Sequence, residues 1–203
     1  TLAQWPAEHE AMPARQAVLT MIGVLDALAY AHKAGAVHGR LKPSNLLLDM
    51  AGRPRVADFT VLPLPVDPSL LPTATGLYLA PEVAQGAPAE PRSDLFSAGL
   101  VLYELLLGRP AIHDASPQRA LNRLIEEPVE LPQASLVGER FDAGLRAIVQ
   151  RSLEREPSAR YASAQEMRAA LQDWLMPALL DGSGDTRATR ALNGMVNRMS
   201  TQP

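Results

Sequence analysis

The chain has 203 residues, with 19 basic and 22 acidic side chains and a net charge of −3. Its 47% hydrophobic content is that of an ordinary folded protein with one or two domains. The near-neutral charge argues against nucleic-acid binding through phosphates, and the absence of cysteine excludes disulfides and zinc–thiolate sites. No apolar run approaches the ~20 residues of a membrane helix, and the first residues lack a signal-peptide pattern, so we expect a cytoplasmic protein. Because the chain begins at Thr1 rather than Met, we expect it to be a piece of a longer protein.

The first part of the chain predicts one long helix and a small hairpin. Helical periodicity over 13–33 predicts an amphipathic helix. A polar stretch at 37–45 predicts a loop, and the apolar runs 46–48 and 55–57 predict the two strands of a β-hairpin. From 58 to 79 no helical period holds and prolines recur, which predicts a long loop of the kind that is often functional.

The second part predicts a bundle of helices. A short helix is expected near 81–85, and the strongly apolar segment 93–107 predicts a buried central helix. Cap residues predict three further helices, over 116–127, 142–154 and 163–174. The predicted fold is therefore mainly α, with one small β-hairpin.

The end of the chain differs from the rest, and we divide the chain into a domain over 1–176 and a tail over 177–203. Residues 181–185 predict a flexible link, and the apolar spacing of 186–199 predicts a short amphipathic helix. This helix either packs back on its own domain or frays, or it binds a partner through its spaced apolar anchors.

Five motifs occur in an order and at spacings typical of one enzyme family. They are HGRLKPSNLLLD at 38–49, Asp58-Phe59 thirteen residues after Asn45, Ala-Pro-Glu at 80–82, SDLFSAG at 93–99 and PSARY at 157–161. Together they resemble the protein kinase superfamily, and bacterial serine/threonine kinases in particular, over roughly residues 1–175. The motifs stand where that family has its catalytic loop H-R-D-L-x-x-x-N, its D-F-G, its A-P-E, the start of its central helix and a late Arg.

The resemblance covers only the large C-terminal lobe of that family. Nothing in the sequence matches the Gly-rich loop, the strand Lys or its partner Glu, all of which belong to the small lobe. The sequence leaves open whether the small lobe is missing from the natural protein or only from this piece.

Three departures from the family pattern argue against catalysis. The family's catalytic Asp, which accepts the proton of the substrate hydroxyl, is replaced by Arg40. A guanidinium stays protonated at neutral pH, so it could hold a phosphate but cannot act as the base, a role typically worth ~10²–10⁴ in rate. Gly39 replaces the Arg that pairs with a phosphorylated activation loop in many relatives, which argues against a switch at Thr73 or Thr75. Thr60 replaces the Gly of D-F-G and removes its freedom to adopt positive φ.

Three other residues of the family's site are retained. By resemblance, Asn45 and Asp58 match the two residues that hold magnesium against ATP, and Lys42 matches the lysine that steadies the transferred phosphate. They indicate either residual Mg-ATP binding or inherited residues that hydrogen-bond the loop itself. We favour the second interpretation, and therefore expect no cofactor, because a single lobe would enclose the nucleotide on one side only.

Four retained residues are predicted to be structural. The resemblance pairs Glu82 with Arg160, and we expect Asp94 to anchor the backbone of the catalytic loop with His38 packed beside it. The remaining histidines lack the spacing of metal ligands and are expected to pack or to lie at the surface: His9, His32 and His113.

The sequence favours a catalytically inactive kinase-like lobe that acts as an interaction or regulatory scaffold. Its partner would be another protein, bound through the cleft side of the lobe, the loop 58–79 and the tail helix 186–199. The alternative is a fragment of a serine/threonine kinase that binds Mg-ATP and phosphorylates proteins when joined to its small lobe, with Asp58 as the substitute base. A third possibility is a sensor that binds ATP without cleaving it.

Overall fold

The computed structural model of the chain describes residues 1–4, 11–59, 77–114, 116–134 and 140–180. The predicted loop 58–79 lies mostly outside the described residues, and the predicted tail helix 186–199 lies outside them entirely. Thr60, Thr73 and Thr75 also fall outside, so the expectations placed on them stay predictions.

Six α-helices and one hairpin make up the described structure, which confirms a mainly helical fold with a small antiparallel sheet. The helices are α1 (Ala14–Lys33), α2 (Pro81–Ala84), α3 (Pro91–Leu107), α4 (Pro117–Glu126), α5 (Ala143–Ser152) and α6 (Ala164–Leu180). The strands are β1 (Leu46–Leu48) and β2 (Pro54–Val56), with Leu46 opposite Val56 and Leu48 opposite Pro54. Short 3-10 turns lie at Leu2–Gln4, Pro43–Asn45 and Pro157–Ala159.

Helix α3 is the central element of the core, and it contacts α1, α5 and α6. Every residue of α3 from Ser93 onward is buried, as its nearly uniform apolarity predicted. The helix begins two residues earlier than predicted because Glu90 and Ser93 form a capping box that satisfies the first N–H groups. It ends at Gly108, whose φ of 71° is the left-handed conformation that glycine adopts at helix ends.

Two glycines let the elements around α3 approach closely. A Cβ on Gly99 would lie 2.3 Å from the Ser152 hydroxyl, so α3 and α5 pack with almost no space between their backbones. A Cβ on Gly23 would lie 2.4 Å from Cγ of Pro54, so α1 packs directly on β2. The second contact holds the hairpin against the helical core.

The last helix is longer than predicted. The expected end at about 174 is wrong, because α6 continues to Leu180 and includes residues that the sequence assigned to the tail. Pro177 favoured an earlier end since proline lacks an N–H donor, but Leu175 is buried in the core and holds the preceding turn in place. In the described part of the chain, no helix combines the length and apolarity needed to cross a bilayer.

Candidate functional site

The loop at 38–45 is tied to the core by one buried carboxylate. Asp94, in the first turn of α3, accepts hydrogen bonds from the backbone N–H of His38 at 2.8 Å and of Gly39 at 2.7 Å. It also bonds Nε2 of His32 at 2.8 Å, which brings α1 into the same cluster. Three donors satisfy a carboxylate that is fully buried, so the start of the loop is fixed relative to α1 and α3.

His32 was expected only to pack or to lie at the surface, and its contact with Asp94 was missed. The two residues are 62 positions apart. The available signal was the place of His32 on the apolar face of the predicted helix 13–33, where a polar ring needs a buried partner.

His38 connects the loop to the segment that carries Asp58. Its Nδ1 accepts from the backbone N–H of Arg40 at 3.2 Å, so Nε2 carries the proton and donates to the carbonyl of Ala57 at 2.9 Å. The ring also stacks at a tilt on Phe59, with 4.9 Å between centroids. The fully buried His38 thereby contacts the residues on both sides of Asp58.

Asn45 fixes the other side of Arg40. Its side-chain Nδ2 donates to the Arg40 carbonyl at 3.3 Å, and its Oδ1 accepts from the Ser44 hydroxyl at 3.4 Å. Its own backbone carbonyl accepts from Ala57 N–H at 2.9 Å. The backbone of Arg40 is therefore hydrogen-bonded at both its N–H and its C=O.

Gly39 adopts a conformation that suits glycine. Its φ of +73° lies in the left-handed region, and a Cβ at this position would lie 3.3 Å from Cβ of Ala89. Any other residue here would be strained, because side chains disfavour positive φ. The replacement of the family's Arg by Gly39 is thus compatible with the local backbone.

The charged side chains of the loop differ in their exposure. Arg40 and Asp58 are exposed, Lys42 is half-buried, and Leu41 between the two cations is fully buried. The backbone of Lys42 is extended, with φ −157° and ψ 162°. Asp58 has a φ of 61°, which aspartate tolerates better than most residues.

Asn45 and Asp58 supply the oxygen atoms that magnesium prefers, but they are only two ligands. No group of three or more His, Cys, Asp or Glu side chains suited to a metal occurs among the described residues. Two ligands are too few for a magnesium ion by themselves, so phosphate oxygens would have to complete its coordination.

A second cluster joins the A-P-E segment to the end of the domain. Nη1 and Nη2 of Arg160 donate to the two carboxylate oxygens of Glu82, each at 2.8 Å. The Ser93 hydroxyl donates to the same carboxylate at 2.8 Å. Burial by itself raises the pKa of Glu82, but the hydrogen bonds and attraction of Arg160 outweigh it and hold that pKa below its ordinary value.

Arg160 also contacts backbone groups and an aromatic ring, in addition to its ion pair with Glu82. Its guanidinium also donates to three backbone carbonyls, and its Cζ lies 4.8 Å from the ring centroid of Phe96. The carbonyls belong to Glu154 at 2.7 Å, Arg155 at 2.9 Å and Arg92 at 3.2 Å. One buried side chain thus links α2, the start of α3 and the segment before Pro157–Ala159.

Tyr78 and Glu104 form a buried hydrogen-bonded pair that the sequence analysis did not predict. The Tyr78 hydroxyl donates to the Glu104 carboxylate inside α3, and the Ser97 hydroxyl donates to the Tyr78 carbonyl at 2.6 Å. Burial raises the pKa of both groups, and the charge of Glu104 raises that of Tyr78 further. Glu104 is the one acidic residue in the apolar run 95–107, which was the available signal.

The sequence of the chain is similar to proteins of a known family. A family model described as the protein kinase domain matches residues 1–174. A probable serine/threonine-protein kinase of Streptomyces coelicolor is 36% identical over 190 residues, which are 91% of this chain and 27% of that protein.

Two mycobacterial relatives show the same degree of similarity. The serine/threonine-protein kinase PknB of Mycobacterium leprae is 35% identical over 79% of this chain and 26% of its own length. The serine/threonine-protein kinase PknL of Mycobacterium tuberculosis is 35% identical over 85% of this chain and 44% of its own length. The chain therefore spans between about a quarter and less than half of the relatives that it matches.

Proposed function

Because this chain belongs to the protein kinase family, as its motifs predicted, we propose that it is a lobe that does not transfer phosphate and that acts by binding another protein. One observation carries the proposal. Arg40 occupies the position of the family's catalytic base, and its backbone is held there because its N–H donates to Nδ1 of His38 and its carbonyl accepts from Nδ2 of Asn45.

The chemistry of a guanidinium is the reason for the loss of activity. A general base needs a lone pair that can take a proton, and a guanidinium at neutral pH has none. Losing the base typically lowers the rate by ~10²–10⁴. The core contacts of Asp94 and Arg160 do not depend on that base, so the fold can persist without the reaction.

Exposed apolar side chains support an interaction role. Leu47 on β1 is 41% exposed and Met50 in the hairpin turn is 71% exposed. Covering these two side chains with another protein chain would remove apolar surface from water, which favours association. We propose that the partner binds on the cleft side of the lobe and also contacts loop 58–79 and the tail helix 186–199. Charge reversal of the three arginines of that helix should then weaken capture of the partner.

A competing function is supported by the names of the relatives. They are called serine/threonine-protein kinases, and Asn45, Asp58 and Lys42 remain in this chain. In this alternative the full-length protein binds Mg-ATP and phosphorylates serine or threonine, with Asp58 as the substitute base. A sensor that binds ATP without cleaving it is a third function. It needs Asn45 and Asp58 to hold the nucleotide, but it needs no catalytic base.

A phosphotransfer assay separates the first two functions. The purified full-length gene product is incubated with γ-labelled Mg-ATP and a general substrate protein, beside its Asp58→Asn and Asp173→Asn variants. Asp173 is an exposed residue of α6 and serves as the matched control. We expect no labelling above background by any of the three. Labelling that persists in Asp173→Asn and disappears in Asp58→Asn would show an active kinase and overturn the proposal.

Thermal denaturation of the same three proteins tests nucleotide binding. We expect millimolar Mg-ATP to leave the melting temperature unchanged. A magnesium-dependent increase that Asp58→Asn abolishes and Asp173→Asn keeps would identify a nucleotide sensor, because a ligand stabilises the folded state that binds it.

A further inference from the structure

The turn of the hairpin, residues 49–53, holds two arginines against one carboxylate. Oδ2 of Asp49 accepts from Nε of Arg53 at 2.9 Å, and from Nε and Nη2 of Arg55 at 3.3 and 3.1 Å. Its Oδ1 accepts from the backbone N–H groups of Ala51 and Arg53, each at 2.9 Å. Because both guanidiniums bond the same oxygen, they lie next to each other, and the turn itself fixes the carboxylate that holds them.

The two arginines keep unused hydrogen-bond donors. Their side chains are 69% and 61% exposed, while that of Asp49 is 22% exposed. Neither Nη of Arg53, nor Nη1 of Arg55, makes a hydrogen bond within the described part of the chain. The backbone N–H of Arg53 is the main cause that lowers the pKa of Asp49 to about 2, so the carboxylate is ionised at neutral pH. The cluster therefore has two cations and one anion, a net charge of +1.

The direction of β2 places this turn beside the first half of α1. After β2, the carbonyl of Ala57 accepts from His38, whose backbone N–H donates to the same carboxylate that bonds His32 near the end of α1. At the start of β2, Pro54 packs against Gly23, which lies about 14 Å earlier along α1. Because the turn precedes Pro54, it lies toward the beginning of α1 and away from the loop 38–45.

An exposed leucine lies on this part of α1. Leu19 is 50% exposed and lies one helical turn before Gly23 on the same face of the helix. Asp26, on the other side of Gly23, is an anion on this face, but it pairs with Arg168 of α6. Leu19 therefore adds an apolar contact beside the turn that carries the two arginines.

We infer that the surface formed by Leu19, Arg53 and Arg55, here called the arginine surface, binds an acidic segment of the partner protein in which carboxylate side chains flank an apolar one. The paired N–H groups of a guanidinium match the two oxygens of a carboxylate. An apolar side chain of the segment would cover Leu19 and remove it from water. This inference deepens the proposed function, and rests on it, by stating the chemistry of the partner.

An acidic protein segment suits the arginine surface better than other occupants. The chain's own segment 186–199 carries three arginines and no acidic residue, so the cluster would repel it. A nucleic acid needs a wider basic area than two arginines on a chain of net charge −3. Free phosphate has no apolar part with which to cover Leu19.

The test measures binding of defined probes to the full-length gene product by calorimetry. The probes are a peptide in which Glu residues flank a Leu, its twin with Gln in place of Glu, a twin with phosphoserine in place of Glu, and a single-stranded DNA oligonucleotide. The variant Arg53→Gln/Arg55→Gln is compared with Arg119→Gln/Arg123→Gln. This control removes the same charge from two exposed arginines of α4 that also pair with carboxylates.

A second pair of variants tests the apolar contact. Leu19→Gln is compared with Tyr30→Gln, which changes an exposed residue about 16 Å further along α1. Circular dichroism verifies that each variant is folded. If the arginine variant does not fold, the comparison of Leu19→Gln with Tyr30→Gln still decides whether the peptide binds at this surface.

We expect the acidic peptide to bind and its Gln twin not to bind. Arg53→Gln/Arg55→Gln should weaken binding by about tenfold or more, because charge-assisted hydrogen bonds are lost, and the α4 control by less than about twofold. Leu19→Gln should weaken binding about threefold or more, and Tyr30→Gln less than about twofold. Binding should also weaken from about 0.1 M to about 0.5 M salt, as screening increases.

Four results would overturn the inference. Equal effects of the two arginine variants would show unspecific charge attraction, and equal binding of the Gln twin would remove the carboxylates from recognition. Equal effects of Leu19→Gln and Tyr30→Gln would place the binding surface elsewhere. Tighter binding of the phosphoserine peptide or of DNA than of the acidic peptide would identify a different kind of ligand. The labelling assay reports separately on the proposed function, because phosphotransfer can be absent whether or not the acidic peptide binds.

Discussion

Glu82→Gln should destabilise the domain strongly, because it leaves the Arg160 guanidinium buried without its counter-charge. The side chain of Arg160 is 0% exposed and that of Glu82 is 21% exposed. Removing one partner of a buried ion pair costs about 3–5 kcal/mol, compared with total stabilities of about 5–15 kcal/mol. For a domain of this size that corresponds to a decrease in melting temperature of about 6–20 °C.

The ion pair and the carbonyl contacts of Arg160 can be separated by a double-mutant cycle. Arg160→Met should cost more than Glu82→Gln, because it also leaves three backbone carbonyls without a donor. The double variant should lose less than the sum of the two single losses, since no unpaired charge remains buried. Urea denaturation followed by circular dichroism gives each free energy of unfolding.

The matched control is the surface pair of Arg123 and Glu127, whose side chains are 41% and 54% exposed. Glu127→Gln should change the free energy of unfolding by less than about 1 kcal/mol. If Glu82→Gln costs no more than Glu127→Gln, or if the cycle is additive, the reasoning from burial is refuted.

The same pair has a predicted pH dependence. The pKa of Glu82 is lower in the folded protein than its ordinary value of 4.5. Its contribution to stability is therefore complete above about pH 4.5 and disappears as the pH falls through the folded-state pKa. The melting temperature of the wild type should decrease more steeply than that of Glu82→Gln in this acidic range, and parallel curves would contradict the assignment.

The remaining predictions concern the loop anchor, a glycine and the buried Tyr–Glu pair. Asp94→Asn should lower the free energy of unfolding, measured by urea denaturation, by about 1.5–3 kcal/mol. The amide NH2 of the new side chain would face one of the two backbone N–H groups that donate to Asp94, so that N–H would lose its acceptor. Gly39→Ala should cost about 1–2 kcal/mol by the same assay, and more than Gly35→Ala, which has similar φ but no atom within 4 Å of the added methyl. Tyr78→Phe should cost about 1–3 kcal/mol by leaving Glu104 without its donor. The pKa of Glu104, already raised by burial, should rise further, so the loss in melting temperature should be larger at about pH 8 than at about pH 5.

Each of these has an outcome that would contradict it. Unchanged amide exchange at residues 38 and 39 in Asp94→Asn would show that the carboxylate does not hold the loop. Equal losses for the two glycine variants would mean that only the positive φ matters. A loss in Tyr78→Phe that does not vary with pH would show that Glu104 does not titrate in this range.

The sequence predicted the features that depend on neighbouring residues. Helix α4 begins at Pro117 after the capping residue Ser116, and Asp142 caps α5, both as their patterns indicated. The hairpin likewise follows from two short apolar runs around a turn. The family could be identified because its motifs are short and ordered, so that matching them needs no knowledge of contacts.

What the sequence alone determined is the family, the order of the elements and the identity of the residue at position 40. What only the tertiary structure decided are the pairings between distant positions, such as Asp94 with His32 and Glu104 with Tyr78. It also decided that the guanidinium of Arg40 has no partner among the described residues. The physical reason is that helix caps and turns are set by interactions over a few residues, whereas the partner of a buried polar group depends on how the whole core packs.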